Sequence, residues 1–161
     1  IAWIIASLAI LFSALSWLLS NPELLIWAAL SEAMLYFYGA GGLIVYMMGD
    51  EHVTTDDLFA AGSTFTLIVW GFAYLYLVCQ AWCSGAFSYS THPQEPLSFL
   101  ELLSLSFTNL SATGLSDIVP VKSSARVLVM LEQFAGVAYL AVVVSRLIGL
   151  TINRFQGRNE P

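Results

Sequence analysis

The stretch LSFLELLSLSFTNLSATGLSDIVP, Leu97 to Pro120, decides how the chain is organised. Its first part has an apolar face but only about 14 residues, fewer than the roughly 20 that a membrane-spanning helix needs. Ser98 followed three residues later by Glu101 is a capping-box pattern, which predicts the start of a short helix. Irregular backbone with Gly114 and then a long apolar run come next. This order predicts a re-entrant loop, since non-helical backbone at membrane depth must be buried or line a watery cavity.

The composition indicates a membrane protein. Of 161 residues, 58% are hydrophobic and only 10% are charged, and a soluble domain of this size has too little interior for that much apolar surface. Four runs are long enough to span a bilayer, at about 1–19, 24–48, 58–82 and 124–152. The first residues form an apolar run that contains no basic residue, whereas a signal peptide has a positively charged segment before its apolar one. We therefore expect the chain to begin inside a helix rather than with a signal peptide.

The charges indicate the topology. The net charge is −6, and all the basic residues lie in the last 40 positions: Lys122, Arg126, Arg146, Arg154 and Arg158. This excludes an Arg-rich voltage-sensing helix before them, and it leaves no basic footprint for nucleic acid. The three arginines in and after the last part of the fourth apolar run place its end in the cytoplasm. The short helix and the loop then enter the membrane from the outside.

Three further patterns have a structural interpretation. The loop GDEHVTTDD, Gly49 to Asp57, has four carboxylates, but no spacing in it matches a calcium loop, so we favour a solvated loop. Cys79 and Cys83, four apart on a predicted helix, are interpreted as small apolar residues. The small residues of YGAGG, at 38–42, are suited to close approach of another helix.

No catalytic arrangement is recognisable in the sequence. His52 and His92 fall on opposite sides of the membrane in the predicted topology, so they cannot act together. The sequence has no zinc-protease helix, no phosphate-binding glycine loop and no serine elbow. We therefore expect that the protein is not an enzyme.

The run SFTNLSATGLSDIVPV, at 106–121, resembles the pore signature of tetrameric potassium channels, in which Thr-Val-Gly-Tyr-Gly-Asp follows a pore helix. Gly136 lies 19 residues after Asp117, which is the offset of the hinge glycine in several prokaryotic potassium channels. The runs DDLFAAGSTFTLIVWGFAYLYLVCQAWCSGAFS and LAVVVSRLIGLTIN are similar to the outer helix and the inner-helix end of small bacterial channels. The resemblance covers about 56–153.

The resemblance implies an all-α membrane protein with four transmembrane helices and a re-entrant pore helix and filter loop between the last two. Residues 1–55 would hold two transmembrane helices and the acidic cytoplasmic loop, 56–153 the pore domain and 154–161 a cytoplasmic tail. It also implies a homotetramer in a lipid bilayer, since one chain supplies a quarter of the filter. The resemblance also implies a multi-pass protein located in the bacterial inner membrane. The permeant ion would be K⁺ or Na⁺, and no cofactor or other metal is expected.

The resemblance assigns the ion filter to Ser111, Ala112, Thr113, Gly114, Leu115, Ser116 and Asp117. Ala112 stands where the family has Thr and lacks the hydroxyl of the innermost ion site. Leu115 stands for Tyr and cannot make the bracing hydrogen bonds of a phenol. Ser116 stands for a left-handed Gly, a conformation that costs other residues about 1–2 kcal/mol, so we expect another loop shape. These changes imply a weakly selective filter.

Three residues near the filter have two interpretations each. The carboxyl of Glu132, inside a predicted span, either forms a ring that attracts cations or binds protons, or it braces the pore helix or filter loop, through Asn109 or Gln133. Gly136 is either a gating hinge or a contact where helices pass closely. Asp117 either adds to a cation-attracting ring at the outer mouth or forms a hydrogen bond behind the filter.

Three functions follow from these residues. We favour passive conduction of monovalent cations through a non-standard filter. The main rival is a non-conducting structural or regulatory subunit that keeps the fold and assembles with other membrane subunits. A pore of changed selectivity, for other ions or larger solutes, is the third.

Overall fold

The structure is a computed structural model of the chain and describes residues 6–7, 11, 22–49, 55–91 and 96–156. The predicted first spanning helix lies almost wholly outside these residues. Most of the acidic loop, both histidines and the end of the tail also lie outside them.

Three long apolar helices form the framework of the described part. They are α1 (Pro22–Gly49), α2 (Thr55–Trp82) and α4 (Ser123–Gln156). Each contains a segment long and apolar enough to cross a membrane, namely Glu23–Gly49, Asp56–Trp82 and Ser123–Arg146. These correspond to the second, third and fourth predicted spans, and they are the long apolar helices of a membrane protein. Pro22 suits the first position of α1, because its missing N–H would have no helical partner there.

A short helix, α3 (Phe99–Leu110), lies between α2 and α4 in the chain. The predicted capping box is confirmed: the backbone N–H of Glu101 donates to Ser98 Oγ at 3.4 Å, and the N–H of Ser98 donates to Glu101 Oε2 at 2.5 Å. The box satisfies two amide groups that have no partner inside the helix. At 12 residues, α3 is about 18 Å long, too short to cross a bilayer.

A two-stranded antiparallel ribbon joins the chain after α2 to the chain after α3, which the sequence analysis did not predict. It consists of β1 (Phe87–Tyr89) and β2 (Ile118–Pro120), with Ser88 opposite Val119. The ribbon is extended at one end by a 2.8 Å bond from Ser90 N–H to the Asp117 carbonyl. The end of α2 is also joined to the segment just before α3, because the Gln80 amide makes two 3.0 Å bonds with the Leu97 backbone.

Helix α3 fills the space between α2 and α4. Buried apolar side chains of α3 pack with the ribbon and the ribbon-side part of α2 and α4, among them Leu102, Leu105, Tyr76, Phe87 and Val129. A second cluster joins Leu110, at the end of α3, to Phe72 of α2 and Tyr139 of α4. Both clusters hold α3 inside the subunit.

Helix α1 packs on the outside of α2. The rings of Phe37 and Phe72 meet edge to face with centroids 5.2 Å apart, and a Cβ on Gly71 would lie 3.0 Å from the Phe37 ring. Within YGAGG, Ala40 is buried and a Cβ on Gly39 would lie 3.4 Å from the Leu67 side chain, so this part of the run packs on α2 as expected. Gly41 and Gly42 have no atom within 4 Å of an added Cβ.

Candidate functional site

The loop after α3 is exposed and folds back onto the end of that helix. Ala112, Thr113, Gly114 and Leu115 are exposed, and 83% of the Leu115 surface is accessible. The N–H groups of Thr113 and Gly114 both donate to the Thr108 carbonyl at 3.1 Å. With the bonds from Ser111 N–H to the Phe107 carbonyl and from Ala112 N–H to the Asn109 carbonyl, they satisfy carbonyl groups in the last turn of the helix.

Two of the predicted filter hydroxyls face each other. Ser111 Oγ and Thr113 Oγ1 are 3.1 Å apart, and each also lies 3.3 Å from the Thr108 carbonyl, to which it donates. They therefore hold the loop against α3. No backbone hydrogen bond within the described ranges ends on the carbonyl oxygens of Ser111, Ala112 or Thr113.

Ser116 does not have left-handed backbone, which agrees with the different loop shape expected from the sequence. Gly114 has a φ of 63°, and Ala112, with a φ of 56°, is the only non-glycine residue of the described part with positive φ. A side chain in this region costs about 1–2 kcal/mol. Ser116 instead donates its N–H to the Gly114 carbonyl at 3.0 Å and accepts from the Ile118 N–H through Oγ at 3.1 Å. The Gly114 carbonyl thus has a partner within the loop.

The carboxyl of Glu132 is fully buried behind the loop, between three helices. The hydroxyl of Tyr76, on α2, is bonded to Oε2, and the hydroxyl of Ser106, on α3, is bonded to Oε1. The expected partners, Asn109 and Gln133, lie next to these residues. Asn109 Nδ2 donates to the Tyr76 hydroxyl at 3.5 Å, and Gln133 donates to Asn109 Oδ1 at 3.4 Å. In this arrangement the side chain braces α3 against α2 and α4.

Tyr76 and Ser106 are site residues that sequence reasoning missed. Each lies in an apolar run, and each is fully buried. A polar side chain in such a run is a signal, because burial requires it to have a hydrogen-bonding partner. The sequence does not show which of the many hydroxyls would reach Glu132.

Gly136 is a point of contact between α4 and the end of α3. A Cβ at this position would lie 2.2 Å from the Leu110 carbonyl oxygen and 2.9 Å from its carbonyl carbon. Only a residue without a side chain lets α4 come this close to α3, so the close contact alone requires a glycine at this position.

Tyr89 of β1 joins the ribbon to the first turn of α3. Its hydroxyl donates to Glu101 in the first turn of α3. This bond, together with those from Ser98, holds the pKa of Glu101 below its ordinary value of 4.5. The same bond raises the pKa of Tyr89 to about 12. The side chain of Asp117 is exposed, and its backbone carbonyl accepts from the Ser90 N–H at one end of the ribbon.

The side chains that commonly bind metals do not cluster in the described part of the chain. No three or more His, Cys, Asp and Glu side chains there lie close enough together to hold a metal ion. Cys79 and Cys83 are not joined, and the Cys79 thiol contacts Ser124 Oγ at 3.6 Å.

These features define a membrane protein in which a short capped helix carries an exposed glycine loop and is braced inside a pair of long apolar helices. The sequence matches the ion channel family over residues 63–153, which is more than half of the chain. The chain therefore belongs to the ion channel family. This supports the resemblance to the pores of potassium channels, and it points to a transport protein rather than an enzyme. No curated protein and no solved structure matches the chain.

Gly136→Ala is expected to destabilise the protein. The added methyl would overlap the Leu110 carbonyl, and overpacking of this kind costs about 1–3 kcal/mol. The thermal unfolding midpoint in detergent measures the effect. The control is Gly42→Ala on α1, where nothing lies within 4 Å and the gain in helix propensity is up to about 1 kcal/mol. Equal midpoints for the two variants would show that the contact is unimportant.

Tyr89→Phe is expected to reduce stability at neutral pH and to matter less in acid. The folded pKa of Glu101 is lowered, so its contribution is fully present above 4.5 and is lost as the pH falls through the folded value. Midpoints measured from neutral pH to well below 4.5 should therefore converge for wild type and variant. Ser88→Ala, on the same strand, should follow the wild-type curve throughout. A constant Tyr89→Phe difference across this range would contradict the linkage.

Proposed function

We propose that the chain is the pore-forming subunit of a homotetrameric cation channel with a weakly selective filter. The observation that carries this proposal is the position of α3. Its capped start lies at the ribbon, and its other end, with the glycine loop, lies deep between α2 and α4.

The depth of α3 supports a re-entrant pore helix. Leu110 meets Gly136, which is 13 residues after the start of α4 at Ser123. Ser106 donates to the Val69 carbonyl, which is 13 residues before the end of α2 at Trp82. At roughly 1.5 Å per residue, both contacts are about 20 Å from the ribbon side, well inside a hydrocarbon core of about 30 Å.

The return of the chain also supports this interpretation. Eight residues lead from Leu110 to Ile118, where the ribbon begins again. At about 3.3 Å per residue they can cover roughly 26 Å, enough to climb back from that depth. The loop is therefore non-helical backbone at membrane depth, which requires either protein around it or water in a cavity.

A four-fold assembly would provide that cavity. One chain exposes the loop and an apolar face of α4 that includes Met130, Phe134 and Val137. Symmetric packing of such faces would bury them and bring four loops to one axis. The C-terminal ends of four α3 helices would then point at the axis, and their negative partial charge favours cations.

The ion ligands we propose are backbone carbonyls. Those of Thr113 and Gly114 are the surviving filter ligands implied by the resemblance, with the hydroxyls of Ser111, Thr113 and Ser116 as additions. The Thr113 carbonyl accepts no bond from the described backbone, whereas Gly114 also accepts from Ser116. Such a loop would hold K⁺ or Na⁺ less selectively than a filter with two glycines and a bracing tyrosine.

The remaining features of the assembly follow from the fold and the charges. The region 1–55 would add two transmembrane helices and the acidic loop to the pore domain of 56–153, and 154–161 would form a cytoplasmic tail. With the arginines of the tail inside, the ribbon and Asp117 face the outside. We place the protein in the inner membrane of a bacterium on the resemblance alone.

The second candidate function is a non-conducting subunit of a larger membrane assembly. The bonds from the loop to Thr108 and the exposed side chain of Leu115 favour it, because four such leucines near the axis would close it to ions. A pore of changed selectivity is an outcome of the same experiment.

We expect cation flux from liposomes that contain the purified protein. The measurement compares K⁺, Na⁺ and a large organic cation, with protein-free liposomes as the control. Flux of K⁺ and Na⁺ at comparable rates supports a weakly selective channel. Absence of flux under every gating condition would leave the non-conducting subunit as the function, and flux of the large cation would indicate a wider pore.

Restoring the family residues is expected to increase preference for potassium. The variant carries Ala112→Thr, Leu115→Tyr and Ser116→Gly, which return the hydroxyl, the phenol and the flexible backbone. The K⁺ to Na⁺ permeability ratio should rise over that of wild type. Val119→Ala, on the outer ribbon, is the matched control. An unchanged ratio in the triple variant would mean that the filter positions are wrongly aligned.

A further inference from the structure

The buried contacts around Glu132 form one continuous chain of hydrogen-bonding groups. Gln133 donates to Asn109 Oδ1, and Asn109 Nδ2 donates to the Tyr76 hydroxyl. Tyr76 is bonded to Glu132 Oε2, and Oε1 of the same carboxyl is bonded to Ser106. The Ser106 hydroxyl also lies 2.8 Å from the carbonyl oxygen of Val69, where the chain ends.

The protons in this chain can be counted. Tyr76 accepts from Asn109, so its one hydroxyl proton is free to go to Glu132 Oε2. The Ser106 hydroxyl also has one proton, but it is in hydrogen-bonding contact with two oxygens, the Val69 carbonyl and Glu132 Oε1. A carbonyl oxygen and an ionised carboxylate are both acceptors only. With an ionised Glu132, one of these two contacts would have no proton.

One additional proton on Glu132 completes the chain. We infer that Glu132 is a neutral carboxylic acid in the folded protein, which donates from Oε1 to Ser106 Oγ while Ser106 donates to the Val69 carbonyl. Every contact then has one donor and one acceptor, with all bonds running from Gln133 towards the backbone of α2. Glu132 acts as a positioning residue that joins α4 to α3.

The surroundings support a neutral group. Besides Tyr76, the titratable side chain nearest on α2 is Cys79, one turn away, and the contacts from α3 are the uncharged Ser106 and Asn109. No described basic side chain is bonded to the carboxyl. A fully buried charge without a counter-ion is costly, and an uncharged acid avoids this cost.

A neutral Glu132 changes which groups could give the pore a preference for cations. A neutral Glu132, facing protein on three sides, does not supply the ring of negative charge that its position in the sequence allowed. If the protein conducts, as proposed above, cation preference then has to come from the loop carbonyls, the α3 helix ends and Asp117. This step rests on the proposed function, whereas the protonation of Glu132 does not.

Infrared difference spectroscopy tests the protonation directly. The spectrum of wild type minus Glu132→Gln, recorded on the purified protein at neutral pH, should show the carbonyl band of a protonated carboxylic acid. A carboxylate band in its place would overturn the inference. Neither result depends on ion flux.

The two substitutions Glu132→Gln and Glu132→Ala give a second test. The amide of Gln can donate to Ser106 and accept from Tyr76, as the neutral acid does, so Glu132→Gln should keep the thermal midpoint of wild type. Glu132→Ala removes the acceptor of the Tyr76 hydroxyl and one of the two partners of the Ser106 hydroxyl, and should lower the midpoint by several degrees. A loss as large in Glu132→Gln as in Glu132→Ala would show that the negative charge is required.

Flux measurements then separate the inference from the proposed function. In a conducting protein, Glu132→Gln should leave the preference for cations over anions unchanged. A reduced preference in Glu132→Gln would overturn the neutral assignment. Absence of flux in wild type would overturn the proposed function alone, since the infrared result would stand.

Discussion

The polar groups at the inner end of α3 lie in an apolar environment and need partners within the protein. The structure meets this requirement in two places. The loop amides return to the Thr108 carbonyl, and the hydroxyl of Ser106 is bonded to Glu132 and to the backbone of α2. These bonds give the last carbonyls of the 12-residue helix and the buried Ser106 hydroxyl the partners that they lack within the helix. The position of the loop follows from this satisfaction of polar groups.

The two ends of α3 are held by different means. At the ribbon end, the capping box, Tyr89 and the Gln80 amide form bonds with exposed or half-buried groups, which water can replace. At the inner end, the contacts are a buried hydrogen-bonded chain and a backbone packed directly on Gly136. Bonds of the second kind are costly to break, since the groups released have no other partner. The inner end is therefore the more firmly held.

Local patterns predicted much of this arrangement. The capping box, the short helix and three described long helices could be predicted because each depends on residues within a few positions of one another. Tyr76 and Ser106 could not be assigned to Glu132, since they are 56 and 26 residues away and the sequence contains many hydroxyls. The ribbon could not be predicted because strands of three residues are too short to show an alternating pattern, and they pair where the end of α2 comes close to the start of α4. The sequence indicated that Ser116 would change the loop shape, but the positive φ of Ala112 could not be predicted, because it depends on how the loop bonds to Thr108.

The contact at Gly136 has a mechanical consequence. The same Cα that would allow α4 to bend rests against the carbonyl of the last residue of α3. A bend of α4 at Gly136 would move Leu110, the residue from which the glycine loop begins. Movement of α4 beyond Gly136 would therefore be passed directly to the glycine loop, because the backbones of α4 and α3 are in contact at this point.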